Sequence, residues 1–404
     1  MTKSSMPFST VQECLHDLQM GKPIILMDNE DRENEGDLVM ASQFVTPEWI
    51  NFMAKEARGL ICTPITKERA EYLNIPPMVN VNQSGHETAF TVSIDVKIGT
   101  TTGISSSDRA KTILHLCSEN AKAQDFARPG HIFPLIAKPF GVLEREGHTE
   151  ASIDLCKMAN LYPCAVICEI MNLDGTMSRL PEISELAKKW NLKVLTIQAI
   201  KKELIRRSQL LKEISSCNLP TRYGNLQLHY LENVSSKKQV LILSHPTIQS
   251  SVVRVHSSCM TSEVFGSLKC DCSDQLQHAM DYIAKNGGHI IYLDQEGRGI
   301  GLANKIKAYQ LQDEENLDTI EANVKLGHPI DARTYENAYY AIKWLGLSSI
   351  ELMTNNPLKI EELQSLGIAV NSWAIPATNI SSHNENYLRS KIEKLQHHNL
   401  GKIH

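Results

Sequence analysis

A chain of 404 residues is longer than one hydrophobic core usually organises, so two domains of about 200 residues each are expected. Apolar residues at 42% and charged residues at 22% lie near the globular average, which excludes a fibrous or disordered chain. The net charge of −5 excludes an overall basic character, so no nucleic acid is expected as a partner.

In chain order, residues 9–20 read as an amphipathic helix, with Val11, Leu15 and Leu18 on one face and Gly21 to stop it. The first 21 residues lack the charged, apolar, small-residue order of a secretory leader, and no apolar run reaches bilayer length. A soluble, cytoplasmic protein without a membrane partner is expected. Its ten cysteines are then buried, metal-bound or incidental thiols rather than disulfides.

Residues 23–27 read as a buried strand, and residues 28–37 as a loop too poor in apolar side chains for a core. Strands followed by polar loops recur at 165–171, 289–293 and 351–354, the last two leading into helical patterns at 302–312 and 358–366. Residues 201–213 form a charged helical pattern and 215–224 break regularity, which divides the chain into domains at 1–208 and 209–404. The expected fold class is α/β, mixed α+β: two domains, each a mixed β-sheet flanked by helices, with active-site loops at strand ends, where open α/β sheets hold ligands.

Six carboxylates crowd residues 28–37 around a single cation, Arg32, and repel one another unless water or a hard cation screens them. Thr101 to Gly103, with Ser105, Ser106, Ser107 and Arg109, offers hydroxyls and a cation suited to a phosphate or polyol. His131 and His148 each read as lying in a glycine-containing turn near an arginine. Glu169 lies in an apolar strand, where burial raises a carboxyl pKa toward the range of a general acid or base. Taken singly, each residue also fits a plainer role: a solvated acidic face, a satisfied core histidine, or a carboxylate paired with an arginine.

Taken together, Asp31-Arg-Glu-Asn-Glu-Gly-Asp37, Thr101-Thr-Gly-Ile-Ser105 with Ser107-Asp-Arg109, Arg128-Pro-Gly-His-Ile-Phe-Pro134, Gly147-His-Thr-Glu-Ala151 and Cys168-Glu-Ile-Met-Asn172 resemble 3,4-dihydroxy-2-butanone 4-phosphate synthase. The resemblance covers about residues 6 to 205. It implies Mg²⁺ (or Mn²⁺) on Glu33 and His148. It also implies ribulose 5-phosphate bound by Arg32, Glu33, Asp37, Arg145, Glu146, Gly147, His148, Thr149 and Glu169, with His131 and Glu169 serving proton transfers. A ketose phosphate that enolises, rearranges and loses formate places negative charge on oxygen at each step, which a divalent ion stabilises without moving a proton.

In the second half, Cys259, Cys270 and Cys272 form a Cys-x10-Cys-x-Cys array. Three protein ligands and an open position suit catalytic zinc, whereas His256, three residues before Cys259, would close a structural site; the spacing fits both. Arg254-Val-His-Ser-Ser-Cys259, Ser267-Leu-Lys-Cys-Asp-Cys272, Gln295-Glu-Gly-Arg-Gly-Ile-Gly-Leu302, Lys305-Ile-Lys-Ala-Tyr309, Asp331-Ala-Arg333 and Thr354-Asn-Asn-Pro357 with Lys359 resemble GTP cyclohydrolase II over about residues 219 to 400.

This second resemblance implies Zn²⁺ on Cys259, Cys270 and Cys272. It implies GTP contacts from Arg254, Val255, His256, Ser257, Ser258, Gln275, Glu296, Gly297, Arg298, Thr319, Thr354 and Lys359. Zinc lowers the pKa of bound water and readies it to attack carbon 8 of guanine. Asp331 is implied as proton acceptor, Arg333 as nucleophile toward the α-phosphorus and Tyr309 as a neighbour of the reacting base. Because a guanidinium stays protonated, stabilising phosphate charge is the role that chemistry favours for Arg333. The pattern departs at Ser258 (glutamate expected), Ser262 and Glu263 (glycine and aspartate), Ser273 (glycine) and Asp294 (arginine).

The two resemblances imply a homodimeric, bifunctional enzyme of riboflavin biosynthesis, a lyase joined to a hydrolase. A competing expectation is a synthase joined to a zinc- and nucleotide-binding module without turnover or with an altered product. A nucleic-acid-binding zinc protein is a third class, and it requires a basic aromatic surface beside the cysteines that the sequence lacks.

Overall fold

The computed structural model describes residues 8–315 and 317–375. The chain forms two compact units, Met1–Leu204 and Ile205–His404, dividing inside the helix Ile197–Arg207, a few residues before 208.

The first unit opens with the helix Val11–Gln19. The Thr10 hydroxyl accepts from the Glu13 amide while the Glu13 carboxylate accepts from the Thr10 amide, so two donors at the helix start are satisfied reciprocally. Its seven strands are β1 Ile24–Met27, β2 Gly36–Ala41, β3 Cys62–Ile65, β4 Ile94–Val96, β5 Phe126–Ile136, β6 Ala165–Glu169 and β7 Val194–Thr196, in the order β4-β5-β3-β6-β2-β1-β7. Strand alternation sends side chains to two cores. Ile25, Met27, Leu38, Met40, Val166 and Cys168 belong to one. Leu26, Val39, Cys62, Leu135 and Ile167 belong to the other, with Leu15 and Leu18 of the first helix and Ala151 and Leu155 of the helix His148–Met158.

The second unit contains β8 Leu211–Thr221, β9 Gly224–Asn233, β10 Gln239–Ser244, β11 Val252–Ser257, β12 His289–Leu293, β13 Ser349–Met353 and β14 Ala369–Trp373, in the order β14-β13-β11-β12-β10-β9-β8. The pairs among β11 to β14 are parallel and those through β10, β9 and β8 antiparallel. The helix Cys272–Asn286 buries Ala279 and Ile283 against Val252 and Ile290. Both units are thus mixed sheets flanked by helices.

Three expectations are corrected. Gly36 and Asp37 are not loop but the start of β2, drawn into the ladder by pairing with Met27 and Leu26. His131 lies within β5 rather than in a turn, and His148 is the first residue of a helix. The charged helical pattern ends at Arg207, and residues 215–224 belong to a hairpin of β8 and β9. That strand sits at the sheet edge with most side chains exposed, so backbone hydrogen bonds hold it without the apolar alternation that announces a strand.

Candidate active sites

In the first unit, strand register assembles the site. Cys62 pairs with Phe133 of β5 and with Ile167 of β6; His131 and Glu169, each two residues further toward the same end, are therefore level. Asp37 pairs with Glu169 and with Leu26. By alternation these positions share the face covered by the helix His148–Met158, and His131 stands two strands, about 10 Å, from Glu169.

His148 is buried at the start of that helix, and its Nε2–H donates to the Leu26 carbonyl at 3.2 Å. This tautomer leaves Nδ1 as a lone-pair donor, 3.9 Å from Glu33 Oε2. Asp28, Glu33 and His148 each place one ligand atom within 4.8 Å of the others. Asp28 was missed by sequence reasoning, because nothing distinguishes it among the six carboxylates of its run. It also orders the loop, accepting from the Glu33 and Glu35 amides and from Arg32, which donates to Glu33 as well. Burial, then Glu169 and the acidic loop, pushes the Asp37 carboxyl well above its ordinary range, and its Oδ1 has no hydrogen-bond partner. Glu169 is likewise raised by burial, although its Oε2 accepts from the Leu60 amide at 2.8 Å. A Cβ on Gly59 would lie 2.6 Å from that oxygen, so the glycine permits the approach.

His131 is half exposed and bonded through Nδ1 to Asp95 Oδ2 at 2.6 Å, while its amide donates to Asp95 Oδ1. Asp95, a single polar position in the short strand β4, carried no recognisable signal. Arg145 is spanned by Glu150, Thr88 and the His86 carbonyl. Glu146 accepts from Gln198 and Lys201, and shares a cavity of about 330 Å³ with Arg32, Asn29, Asp31 and Gln198. Gly147 is the N-cap of that helix, and no side chain bonds to the first amides there. In the Thr101–Arg109 region, Asp108 takes the Thr101 and Gly103 amides for itself.

In the second unit, the candidates follow the C-terminal ends of the parallel strands β11, β12 and β13. Cys259 Sγ lies 3.6 Å from Cys270 Sγ, and the three cysteine sulfurs lie within 4.8 Å of one another. All ten cysteines are free thiols. Hydrogen bonds from Cys270 and Cys272, then the Lys305 ammonium 3.1 Å away, draw the Cys259 thiol down. His256 does not join it: its Nε2 is bonded to Glu263 at 2.9 Å, its ring stacks on Tyr292, and burial pushes it down to about 4. Of the two readings the spacing allowed, the described geometry favours three ligands.

A cavity of about 360 Å³ opens beside the thiols, lined by Ser257, Ser258, Glu296, Gly297, Arg298, Tyr309, Thr319 and Arg333 among others. Arg254, Val255 and His256 are instead buried in β11, and Lys359, also buried, donates to the Val255 carbonyl. Arg254 donates to Gln275 and to the Met353 carbonyl, and Thr354 accepts from the Asn356 amide. These six residues do not line the cavity. Asp331 accepts from the Arg333 amide and guanidinium; burial raises its pKa, but the arginine more than offsets this and holds it below the ordinary value.

The departing residues are integrated. Ser262 Oγ accepts from the Ser273 amide at 3.1 Å, tying together the segments that carry Cys259 and Cys272. Ser258 Oγ accepts from the Gln295 amide, and Glu263 accepts from Tyr292. Asp294 is exposed and outside the cavity lining. Sequence reasoning missed Lys305, buried against Cys259 and Glu296; its place four residues before Tyr309, one helical turn away, was the available signal.

Two mixed-sheet units, one with a carboxylate and imidazole cluster at its strand ends and the other with three convergent thiols beside a cavity, define a two-domain α/β enzyme with two candidate metal centres. The family model described as 3,4-dihydroxy-2-butanone 4-phosphate synthase matches residues 12–203, and that described as GTP cyclohydrolase II matches residues 212–374. Riboflavin biosynthesis protein RibBA of Aquifex aeolicus (strain VF5) is 49% identical over 402 residues, covering 98% of this chain and 99% of the relative. Its counterpart in Bacillus mycoides (strain KBAB4) is 46% identical over 394 residues, covering 96% and 99%. The crystal structure of RibBX, a two-domain 3,4-dihydroxy-2-butanone 4-phosphate synthase from A. baumannii, superposes with a TM-score of 0.68 at 33% identity, covering 91% of this chain and 99% of that one.

The chain belongs to the bifunctional riboflavin biosynthesis family, joining a 3,4-dihydroxy-2-butanone 4-phosphate synthase, a lyase, to a GTP cyclohydrolase II, a hydrolase. The match of both halves favours two activities over a synthase carrying an inert nucleotide-binding module. No helix among the described residues is long and apolar enough to cross a membrane.

Proposed function

We propose that residues 1–208 convert ribulose 5-phosphate to 3,4-dihydroxy-2-butanone 4-phosphate and formate, and that residues 209–404 convert GTP to a diaminopyrimidine ribosyl phosphate, formate and pyrophosphate, in a cytoplasmic homodimer. The observation that carries the first assignment is the convergence of Asp28, Glu33 and the Nδ1 face of His148 beside the paired Asp37 and Glu169. An oxygen-rich set with one imidazole fits a hard divalent cation, and Mg²⁺ or Mn²⁺ is assigned to Glu33 and His148, with Asp28 adjoining. Bound there, the cation supplies charge stabilisation for substrate oxygens.

The protein groups then hold and move protons. Burial raises both Glu169 and Asp37 above their ordinary values, which suits them to proton exchange with a substrate carbon or hydroxyl. His131, donating Nδ1–H to Asp95, presents Nε2 as an acceptor. The uncapped helix start at His148 and Thr149 suits the phosphate, and Arg32 and Glu146 border the sugar.

In the second half, Cys259, Cys270 and Cys272 would hold Zn²⁺, which when bound would supply Lewis-acid activation of water toward carbon 8 of the base. Tyr309 is assigned to the base, and Arg298, Arg333 and Thr319, which line the same cavity, are assigned to the phosphates. Direct GTP contacts are assigned to Ser257, Ser258, Glu296, Gly297, Arg298 and Thr319. Arg254, Val255, His256, Gln275, Thr354 and Lys359 support that surface from beneath. Asp331, held ionised by Arg333, orients the guanidinium, which stabilises phosphate charge.

The test supplies purified protein with Mg²⁺ and Zn²⁺ and measures formate from ribulose 5-phosphate and from GTP separately. Formate from both is expected; none from either overturns the proposal.

A further inference from the structure

The geometry points to Lys305 as a positioning residue that sets the charge on the Cys259 thiolate and so tunes the metal the three cysteines hold; this rests on the reading of that cluster as a zinc site. Lys305 is buried on the helix Leu302–Glu315. Its ammonium reaches Cys259 Sγ at 3.1 Å, Thr261 Oγ1 at 2.8 Å and Glu296 Oε1 at 2.7 Å, one acceptor for each of its three protons. The other Glu296 oxygen accepts from the Met260 amide at 2.6 Å. Lys305 therefore links the segment after β11, the segment after β12 and its own helix at one buried point.

The charge count gives this contact its consequence. A divalent ion on three thiolates leaves a site with one net negative charge, and strong thiolate donation weakens the ion's pull on a fourth ligand. A hydrogen-bonded ammonium withdraws density from one sulfur, as partners beyond the ligands do in metal sites generally, while the Glu296 carboxylate on the same ammonium keeps the group at one net negative charge. Glu296 shares the same ammonium, so the residue also fixes which way that cavity-lining carboxylate points.

The test uses the full chain. Zinc affinity is measured by competition with a chromophoric chelator, and the thiolate-to-metal charge-transfer band is recorded after Co²⁺ substitution, for wild type, Lys305→Met, Lys305→Gln and Lys305→Arg. The neutral variants are expected to lose zinc affinity by on the order of 10–100-fold and to shift the cobalt band, with Lys305→Arg restoring both toward wild type. A band and affinity unchanged in a folded neutral variant overturn the proposal, as does failure of both neutral variants to fold while Lys305→Arg folds, since the cation is then only a structural counter-charge. Wild-type protein that takes up neither zinc nor cobalt at the three thiols overturns the zinc reading itself, a distinct outcome.

Discussion

Asp37 and Glu169 sit opposite each other on neighbouring strands; Asp37 is buried with Oδ1 unbonded, Glu169 is half-buried with Oε2 on the Leu60 amide, and burial makes each carboxyl resist ionisation. A carboxyl whose folded pKa lies above its unfolded value of about 4 stabilises the fold at low pH and loses that contribution as pH rises through the folded value. Asp37→Asn is therefore expected to raise the melting temperature of metal-free protein at pH 8, with little change at pH 3. Thermal scans with and without Mg²⁺ check this, and a gain equal at both pH values contradicts it. Glu33→Ala and His148→Ala are expected to abolish formate release from ribulose 5-phosphate while leaving the far-ultraviolet circular dichroism unchanged; near-normal turnover by both rules out the metal assignment.

Between β4 and β5, the His131 and Asp95 pair is framed by Gly103, whose backbone is left-handed at φ +91°. A Cβ there would lie 2.1 Å from Asp95 Oδ2 and 2.6 Å from His131 Nδ1, so the loop can close over the pair only with glycine. Gly103→Ala is expected to lower turnover of ribulose 5-phosphate by on the order of 10²-fold, the scale of a misplaced acid–base group, while Mg²⁺ affinity stays as in wild type. Kinetics with parallel metal titration separate these effects. In the second unit, the bond from the Ser273 amide to Ser262 joins two cysteine-bearing segments across one hydrogen bond. Ser262→Ala is expected to weaken zinc retention against a chelator and to destabilise by about 1 kcal/mol, read by denaturant unfolding.

Across the whole molecule, the two candidate metal centres draw every ligand from within a single unit. Cys270→Ala is accordingly expected to eliminate bound zinc and formate release from GTP while formate release from ribulose 5-phosphate persists; loss of both activities contradicts separate sites. The amino-acid sequence alone determined the two-domain division, the mixed sheets and the identity of most candidate ligands. Those properties reside in local apolar runs and in short motifs such as Gly147-His-Thr-Glu-Ala151 and Cys270-Asp-Cys272. Only the tertiary structure decided which groups meet. Asp28 stands out from its acidic run because the fold brings it to His148, 120 residues away in the chain. Asp95 becomes the partner of His131 through strand pairing, and Lys305 reaches Cys259 through helix placement. His256, equally eligible by spacing, is turned instead to Glu263. Spacing along the chain constrains neighbours within a few residues, whereas the direction of a side chain and the burial that shifts its proton affinity depend on sheet register and on the helix packed above it.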